Sequence, residues 1–293
     1  TFCGLGPENA RDIHPKARLF RLTFPFFRRH YTFQRRMMDL AKMAPSLDRH
    51  WLLVTDVDDT LLGDDEAYES FVRVVEASPS LRVVLNSSRP VASVRRTLDS
   101  LSAPIKPDAI IGAMGTQVWH DGALQQAWTT RFEPWSREPV DQVMSKLGFK
   151  PHDDEFQTPL KASFAVPGPE AQRAAADALH ATGQPMKIVA SGKSDFDVLP
   201  PSADKGDATL FACELLHIAT DRLIVAGDSG NDIAMFKVAR KGIVVGNARD
   251  ELREAVDAST VFFARRAQAG GLLEGLIHFE VPVTLDATPT PLS

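Results

Sequence analysis

The sequence predicts an α/β protein with a doubly wound, mostly parallel Rossmann-like sheet and an inserted α+β cap domain. Three observations lead there. After residue 50, short apolar runs alternate with helical stretches, the pattern of strand–helix units. Two of these runs, Trp51-Leu52-Leu53-Val54-Thr55 and Leu223-Ile224-Val225-Ala226-Gly227, read as strands buried on both faces. Each empties into carboxylates: Asp56, Asp58 and Asp59 after the first, Asp228 and Asp232 after the second. Between them, residues 131–203 carry nine prolines and strand and helix signals of their own.

The elements follow in order. A strand at 51–55 precedes a helix near 66–77, a strand at 81–86 and a helix at about 90–101, where Pro90 suits a helix start. A strand at 108–113 leads into a hairpin from Gly115 to Trp128, turning at His120-Asp121-Gly122. The segment 131–203 has helix signals at 136–147 and 169–181, and strand signals at 160–166, 186–190 and 195–199. The main pattern resumes with a helix from Lys205, a strand at 222–226 and a helix from Ser229. A strand at 241–246 and a helix near 269–279 complete it. The expected organisation is a core of 51–130 and 204–282 with 131–203 inserted as a cap. Such a cap stands over the carboxyl ends of the strands, where open α/β sheets bind ligands. Residues 283–293 read as a disordered tail.

Composition narrows the function classes. Hydrophobic residues make up 44% and charged residues 24% of the 293, as in a soluble globular protein. A net charge of −5 argues against nucleic acid as the main partner, so any phosphate site must be a local basic pocket. No apolar stretch approaches the roughly 20 residues that span a bilayer, so no membrane association is expected. Only Cys3 and Cys213 are present, which fits a reducing compartment and a cytoplasmic location. Residues 1–50 form a basic extension, with ten Lys or Arg against three acidic residues from Ala10 to His50. A targeting remnant (which would admit a plastid), a docking arm and a piece of an upstream domain all remain open for it.

The chemistry sits at the strand ends. Clustered carboxylates repel one another and resist desolvation, so they call for a counter-charge. With oxygen as the only donor on offer, a hard divalent cation such as Mg2+ fits, held by Asp56, Asp58, Asp228 and Asp232. An EF-hand is excluded because Thr60 and Leu61 stand where an acidic ligand and a glycine belong. Gly227-Asp228-Ser229-Gly230 looks like a serine-protease loop, but Asn231 and the strand–helix alternation rule that out. Asp56 and Asp58 would face opposite sides of a continuing strand. The chain is therefore expected to leave the sheet after Val57, letting Asp58 fold back. One carboxylate can then attack phosphorus while the other protonates the leaving oxygen. A second strand ends in Ser87-Ser88-Arg89, where a hydroxyl and backbone amides suit phosphate oxygens. Lys205 would meet the transferring phosphoryl group.

These four elements, in this order, resemble the haloacid dehalogenase superfamily of phosphotransferases. Asp56-Val57-Asp58-Asp59-Thr60 is similar to its first motif, Ser87 to its second, Lys205 to its third and Gly227–Asp232 to its fourth. Over residues 51–280 the chain further resembles the sucrose-6-phosphate phosphatase family. That resemblance rests on Ala113–Trp119, on Ser191-Gly192-Lys193 with Asp195–Pro200, on Ala203–Thr209 and on Ala269–Phe279. It implies a Mg2+-dependent hydrolysis of sucrose 6-phosphate through an aspartyl-phosphate on Asp56, with Asp58 as acid and base. Ser87, Ser88, Lys205 and Asn231 would bind phosphate. Arg89, Gly115, Thr116, Lys161, Lys193 and Asp195 would face the substrate. A monomer is expected, with sucrose-phosphate synthase as a candidate partner. Ser87-Ser88-Arg89 departs from the family's Thr-Gly-Arg, Ser194 is inserted in the cap motif, and Leu160 replaces an aromatic. The rival readings are a phosphatase for mannosylglycerate, glucosylglycerol or trehalose phosphate, a phosphohexomutase, and a non-catalytic phosphosugar-binding partner of a glycosyltransferase.

Overall fold

A computed structural model describes residues 50–191 and 194–285. Its main sheet contains β1 (Trp51–Thr55), β2 (Leu81–Asn86), β3 (Ala109–Gly112), β4 (Gln117–His120) and β5 (Ala123–Leu124). It is completed by β9 (Leu223–Gly227), β10 (Gly242–Val244) and β11 (Val261–Phe263), in the order β11-β10-β9-β1-β2-β3-β4-β5. All neighbours run parallel except β3–β4 and β4–β5. From β1 the chain winds outward to one edge, then returns to β9 on the other side of β1. The order thus reverses between β1 and β9, the place where open α/β sheets form a binding crevice.

Strand alternation explains why the central residues of these runs are apolar on both faces. Leu53, Val83 and Leu85 point into one buried layer, with Phe71 of the helix Asp65–Glu76 and Leu272 of the helix Gln268–His278. Leu52, Val54 and Val84 point into the opposite layer, with Ala208 and Ala212 of the helix Lys205–Leu215. Helices cover both faces, so the inner positions of these strands are apolar, and polar residues stand near their ends, as Arg82 and Asn86 do in β2 and Thr55 in β1. The helix Asp65–Glu76 starts where the Asp64 carboxylate accepts from Ala67 N at 3.0 Å.

The hairpin turns at Asp121 (φ 50°) and Gly122 (φ 81°), as its sequence requires. Its second strand is only Ala123–Leu124, because Gln126–Thr129 coils into a helical turn. That turn buries Trp128, whose Nε1 donates to the Gly115 carbonyl at 2.9 Å. The helix expected from Ser229 opens as a 3-10 turn, Gly230–Asp232, before Ile233–Val238. The helix Asp250–Ala255 and strand β11 carry no sequence signal, being too short to show a period. Past Pro282 the chain stays attached, with Thr284 N donating to Ser78 Oγ at 2.8 Å.

A second, antiparallel sheet combines β6 (Ala162–Ala165), β7 (Lys187–Ser191) and β8 (Asp195–Leu199) in the order β6-β8-β7. Phe164, Phe196 and Val198 point to one side, into a small core with Val140 and Met144 of the helix Glu138–Lys146 and Leu179 of the helix Gly168–His180. On the other side, Leu199 joins the core beneath the main sheet and Val189 packs against it. The basic extension before residue 50, Cys3, Lys193 and the last eight residues lie outside the described residues.

Candidate active site

The pairing of β1 with β9 fixes the centre. Val54 stands opposite Val225 and Thr55 opposite Ala226, and Asp56 N continues the ladder to the Ala226 carbonyl at 3.0 Å. Asp56 therefore emerges beside the loop that carries Asp228 and Asp232. Carboxylate oxygens of these three buried residues lie within 4.8 Å of one another. Lys205 crosses into the cluster from the start of its helix. Its side chain is fully buried, and Nζ donates to Asp56 Oδ1 and Asp232 Oδ1 at 2.7 Å each, and to Asn231 Oδ1 at 3.0 Å.

Local structure sets each group. Asp204 caps the helix, its Oδ1 accepting from Gly206 N and Asp207 N, so the next residue, Lys205, is aimed inward. Asp232 Oδ2 accepts from the backbone of Asp228 and Ser229, closing the loop as a reciprocal cap with Ser229. Thr60 reaches over from the first loop and donates its hydroxyl to Asp228 Oδ1 at 3.3 Å. Asn86, ending β2, donates to the Lys205 carbonyl and to Thr209 Oγ1, tying that helix to the sheet.

The electrostatics are unbalanced. Three buried carboxylates face one ammonium. Burial, then the charge of Asp232, pushes the Asp56 carboxyl well above its usual range, with Lys205 opposing. Burial also raises Asp228, to about 6, helped by Asp232 and Asp59. Burial works against the Lys205 ammonium, but Asp232 and Asp56 outweigh it and hold it protonated. Such a set fits a divalent cation, because every donor is an oxygen and the carboxylates exceed the positive charge available to them. Asp56 and Asp228 offer the less encumbered oxygens, since Asp232 already serves Lys205 and two amides.

Other expected site residues lie at varying distance from this centre. Ser87 is buried at the end of β2, and its hydroxyl accepts from Arg89 N instead of capping the helix Val91–Asp99. Ser88 stands half-buried beside it. The chain turns directly after Val57, whose carbonyl accepts from Leu61 N and Leu62 N, and Asp59 takes a φ of 60°. Asp58 does not join the acidic cluster. Its half-exposed carboxylate pairs with Arg89 Nε at 2.9 Å, and Arg89 Nη1 donates to Thr97. Gly115 (φ 89°) packs so tightly that a Cβ would stand 2.3 Å from the Asp204 carbonyl. The Thr116 hydroxyl is turned inward to the Ala113 carbonyl. Lys161 is buried in an ion pair with Asp197 Oδ1 at 2.9 Å, which also receives the Ser163 hydroxyl. Asp195, at the exposed start of β8, lies 3.4 Å from His152 Nε2. Sequence reasoning gave no role to Thr60, Asn86, Asp197 or Asp204. Asn86 carried a signal, as the one amide closing the apolar run Val83-Val84-Leu85.

Fold and site together define a phosphatase of the haloacid dehalogenase type. The sequence model of the family described as Sucrose-6F-phosphate phosphohydrolase matches residues 49–280, and the chain belongs to that family. It is 35% identical over 242 residues to a mannosylfructose-phosphate phosphatase of Agrobacterium fabrum, covering 78% of this chain and 96% of that protein. It is 29% identical to sucrose-phosphatase 1 of Nicotiana tabacum over 60% of this chain, but spans only 45% of that longer protein. Among solved structures, the sucrose-phosphatase of Synechocystis sp. PCC6803 in complex with sucrose and phosphate superposes with a TM-score of 0.72. The identity there is 29%, covering 79% of this chain and 98% of that one. The protein is a sugar-phosphate phosphatase. Among the described residues, no helix is long and apolar enough to cross a membrane.

Proposed function

We propose that the protein hydrolyses the phosphate ester of a fructose-containing disaccharide phosphate, with sucrose 6-phosphate as the first candidate. The observation that carries this reading is Lys205 held between Asp56 and Asp232 beside Asp228. An ammonium so placed can accept a phosphoryl group's charge while leaving Asp56 aimed at the crevice. Likeness to a sucrose-phosphatase and to a mannosylfructose-phosphate phosphatase supports a hexosyl-fructose phosphate. Mannosylfructose phosphate is the second candidate, favoured by the 35% identity over nearly the whole of that relative.

In the proposed reaction the Asp56 carboxylate bonds to phosphorus, and the bond from phosphorus to the sugar oxygen breaks. Asp58, carrying a proton, gives it to that oxygen. Water then attacks phosphorus, Asp58 takes its proton, and the bond to Asp56 breaks to release phosphate. Asp58 can do this only if its pair with Arg89 opens. Ser87, the backbone at Ser88, Asn231 and Lys205 would hold the phosphoryl oxygens. A Mg2+ ion bound by Asp56 and Asp228, with Asp232 behind, would neutralise the repulsion between carboxylate and phosphate.

Sugar choice belongs to the segment 131–203, acting as a cap, since the catalytic floor meets only what all phosphomonoesters share. The buried Lys161–Asp197 pair and Asp195 would supply its polar contacts. A glycosyltransferase that makes the sugar phosphate, such as sucrose-phosphate synthase, would supply the substrate. Phosphate release from a panel of sugar phosphates, with Mg2+ and with chelator, tests the reading. Sucrose 6-phosphate or mannosylfructose phosphate should lead, and activity should vanish with chelator. Preference for trehalose or glucosylglycerol phosphate, or activity without metal, would refute it.

A further inference from the structure

We propose that Lys187 is a positioning residue that ties the smaller sheet to the helix presenting Lys205. Lys187 opens β7 and pairs in register with Leu199, on the side of that sheet that meets the core. Its ammonium donates to Asp204 Oδ2 at 2.6 Å and to the Ala203 carbonyl at 3.0 Å. The other oxygen of the same carboxylate, Oδ1, is the cap of the helix Lys205–Leu215. One side chain thus joins β7 to the helix end from which Lys205 departs.

The same backbone is also fixed by Gly115, whose approach to the Asp204 carbonyl leaves no room for a Cβ. Residues 203–204 are therefore held by both the Ala113–Gly115 turn and Lys187. A second cation makes a weaker link one turn along, where Arg131 stands 3.8 Å from Asp207. Lys187, Val189 and Leu199 also line, together with Lys205 and Asn231, a cavity of about 260 Å³. When β7 sits against the core, Lys205 is drawn into register with Asp56 and Asp232. When β7 moves away, the helix end loses the anchor that Lys187 gives it. Seating of the small sheet and placement of Lys205 are in this way one event, so substrate binding above is coupled to phosphoryl transfer below.

The inference rests on the phosphatase reading of the Asp56 site, which wild-type turnover and its loss in Asp56→Asn establish separately. The test uses Lys187→Met, which keeps the stem but removes the charge, and Asp204→Asn, which keeps a capping oxygen but loses the ion pair. Steady-state rates are measured on sucrose 6-phosphate and on p-nitrophenyl phosphate. Each variant should lose about tenfold in kcat on both substrates, with KM within about twofold, because the fault lies at the phosphoryl end. The double variant should lose no more than the worse single, and Lys187→Arg should recover most of the rate. A loss confined to sucrose 6-phosphate or to KM would overturn the proposal in favour of a direct sugar contact. Unchanged kcat on both substrates would reduce the pair to an inert ion pair, and multiplicative losses would separate Lys187 from Asp204.

Discussion

Asp56 and Asp232, delivered by different strands, hold a single ammonium between them, with Lys205 Nζ 2.7 Å from each carboxylate. Neither pair can be understood alone. The lysine offsets part of the like-charge repulsion, and the carboxylates keep the lysine charged in a place where burial works against its charge.

Replacing Lys205 by methionine should therefore damage more than turnover. The substitution fills similar volume but leaves buried carboxylates without their ammonium. Breaking a buried pair from one side costs about 3–5 kcal/mol. Denaturant unfolding without metal should show a loss of that order, and Mg2+ should restore part of it. Stability equal to wild type would mean that the ammonium contributes no net stabilisation.

Asp228 predicts the reverse sign. Its carboxyl is raised to about 6 against an ordinary 3.8, so the folded protein disfavours its charge. A group raised by folding stabilises at pH below its unfolded value, and that contribution is lost as pH climbs through the folded one. Metal-free protein should thus lose stability between about pH 4 and 6. Asp228→Asn should flatten that trend, raise the metal-free Tm, and abolish the rise in Tm that Mg2+ gives wild type. A lower metal-free Tm in Asp228→Asn would show that burial and the neighbouring carboxylates do not make the ionised Asp228 a net cost to the fold.

Asp58 should act on the leaving oxygen and on water, and p-nitrophenyl phosphate separates the two. Its leaving group departs without an acid, so Asp58→Asn should release one equivalent of p-nitrophenol quickly and then slow sharply. Steady turnover at the wild-type rate would remove Asp58 from the mechanism.

Much of this was legible in the sequence, for a physical reason. Strands buried on both faces cannot hide a polar residue, so Asp56 and Asp228 mark strand ends as clearly as a turn does, and β1, β2 and β9 fall where their apolar runs stand. What depends on distant partners was not legible. Lys161 is expected to face the substrate, and only the pairing of β6 with β8 shows Asp197 beside it as an ion-pair partner. Asp58 reads as a member of the acidic cluster until Arg89, at the end of another strand, claims its carboxylate. Lys187 gives no signal at all, because its partner Asp204 belongs to a different element.

Phosphate release by Asp56→Asn, beside wild type with Mg2+ and sucrose 6-phosphate, tests the central claim most directly. The substitution preserves shape, removes only the attacking charge, and leaves Lys205 paired with Asp232. Turnover should fall by at least about a thousandfold while circular dichroism and Tm stay at or above wild type. Substantial phosphate release by the folded variant would contradict the assignment of Asp56 as the nucleophile.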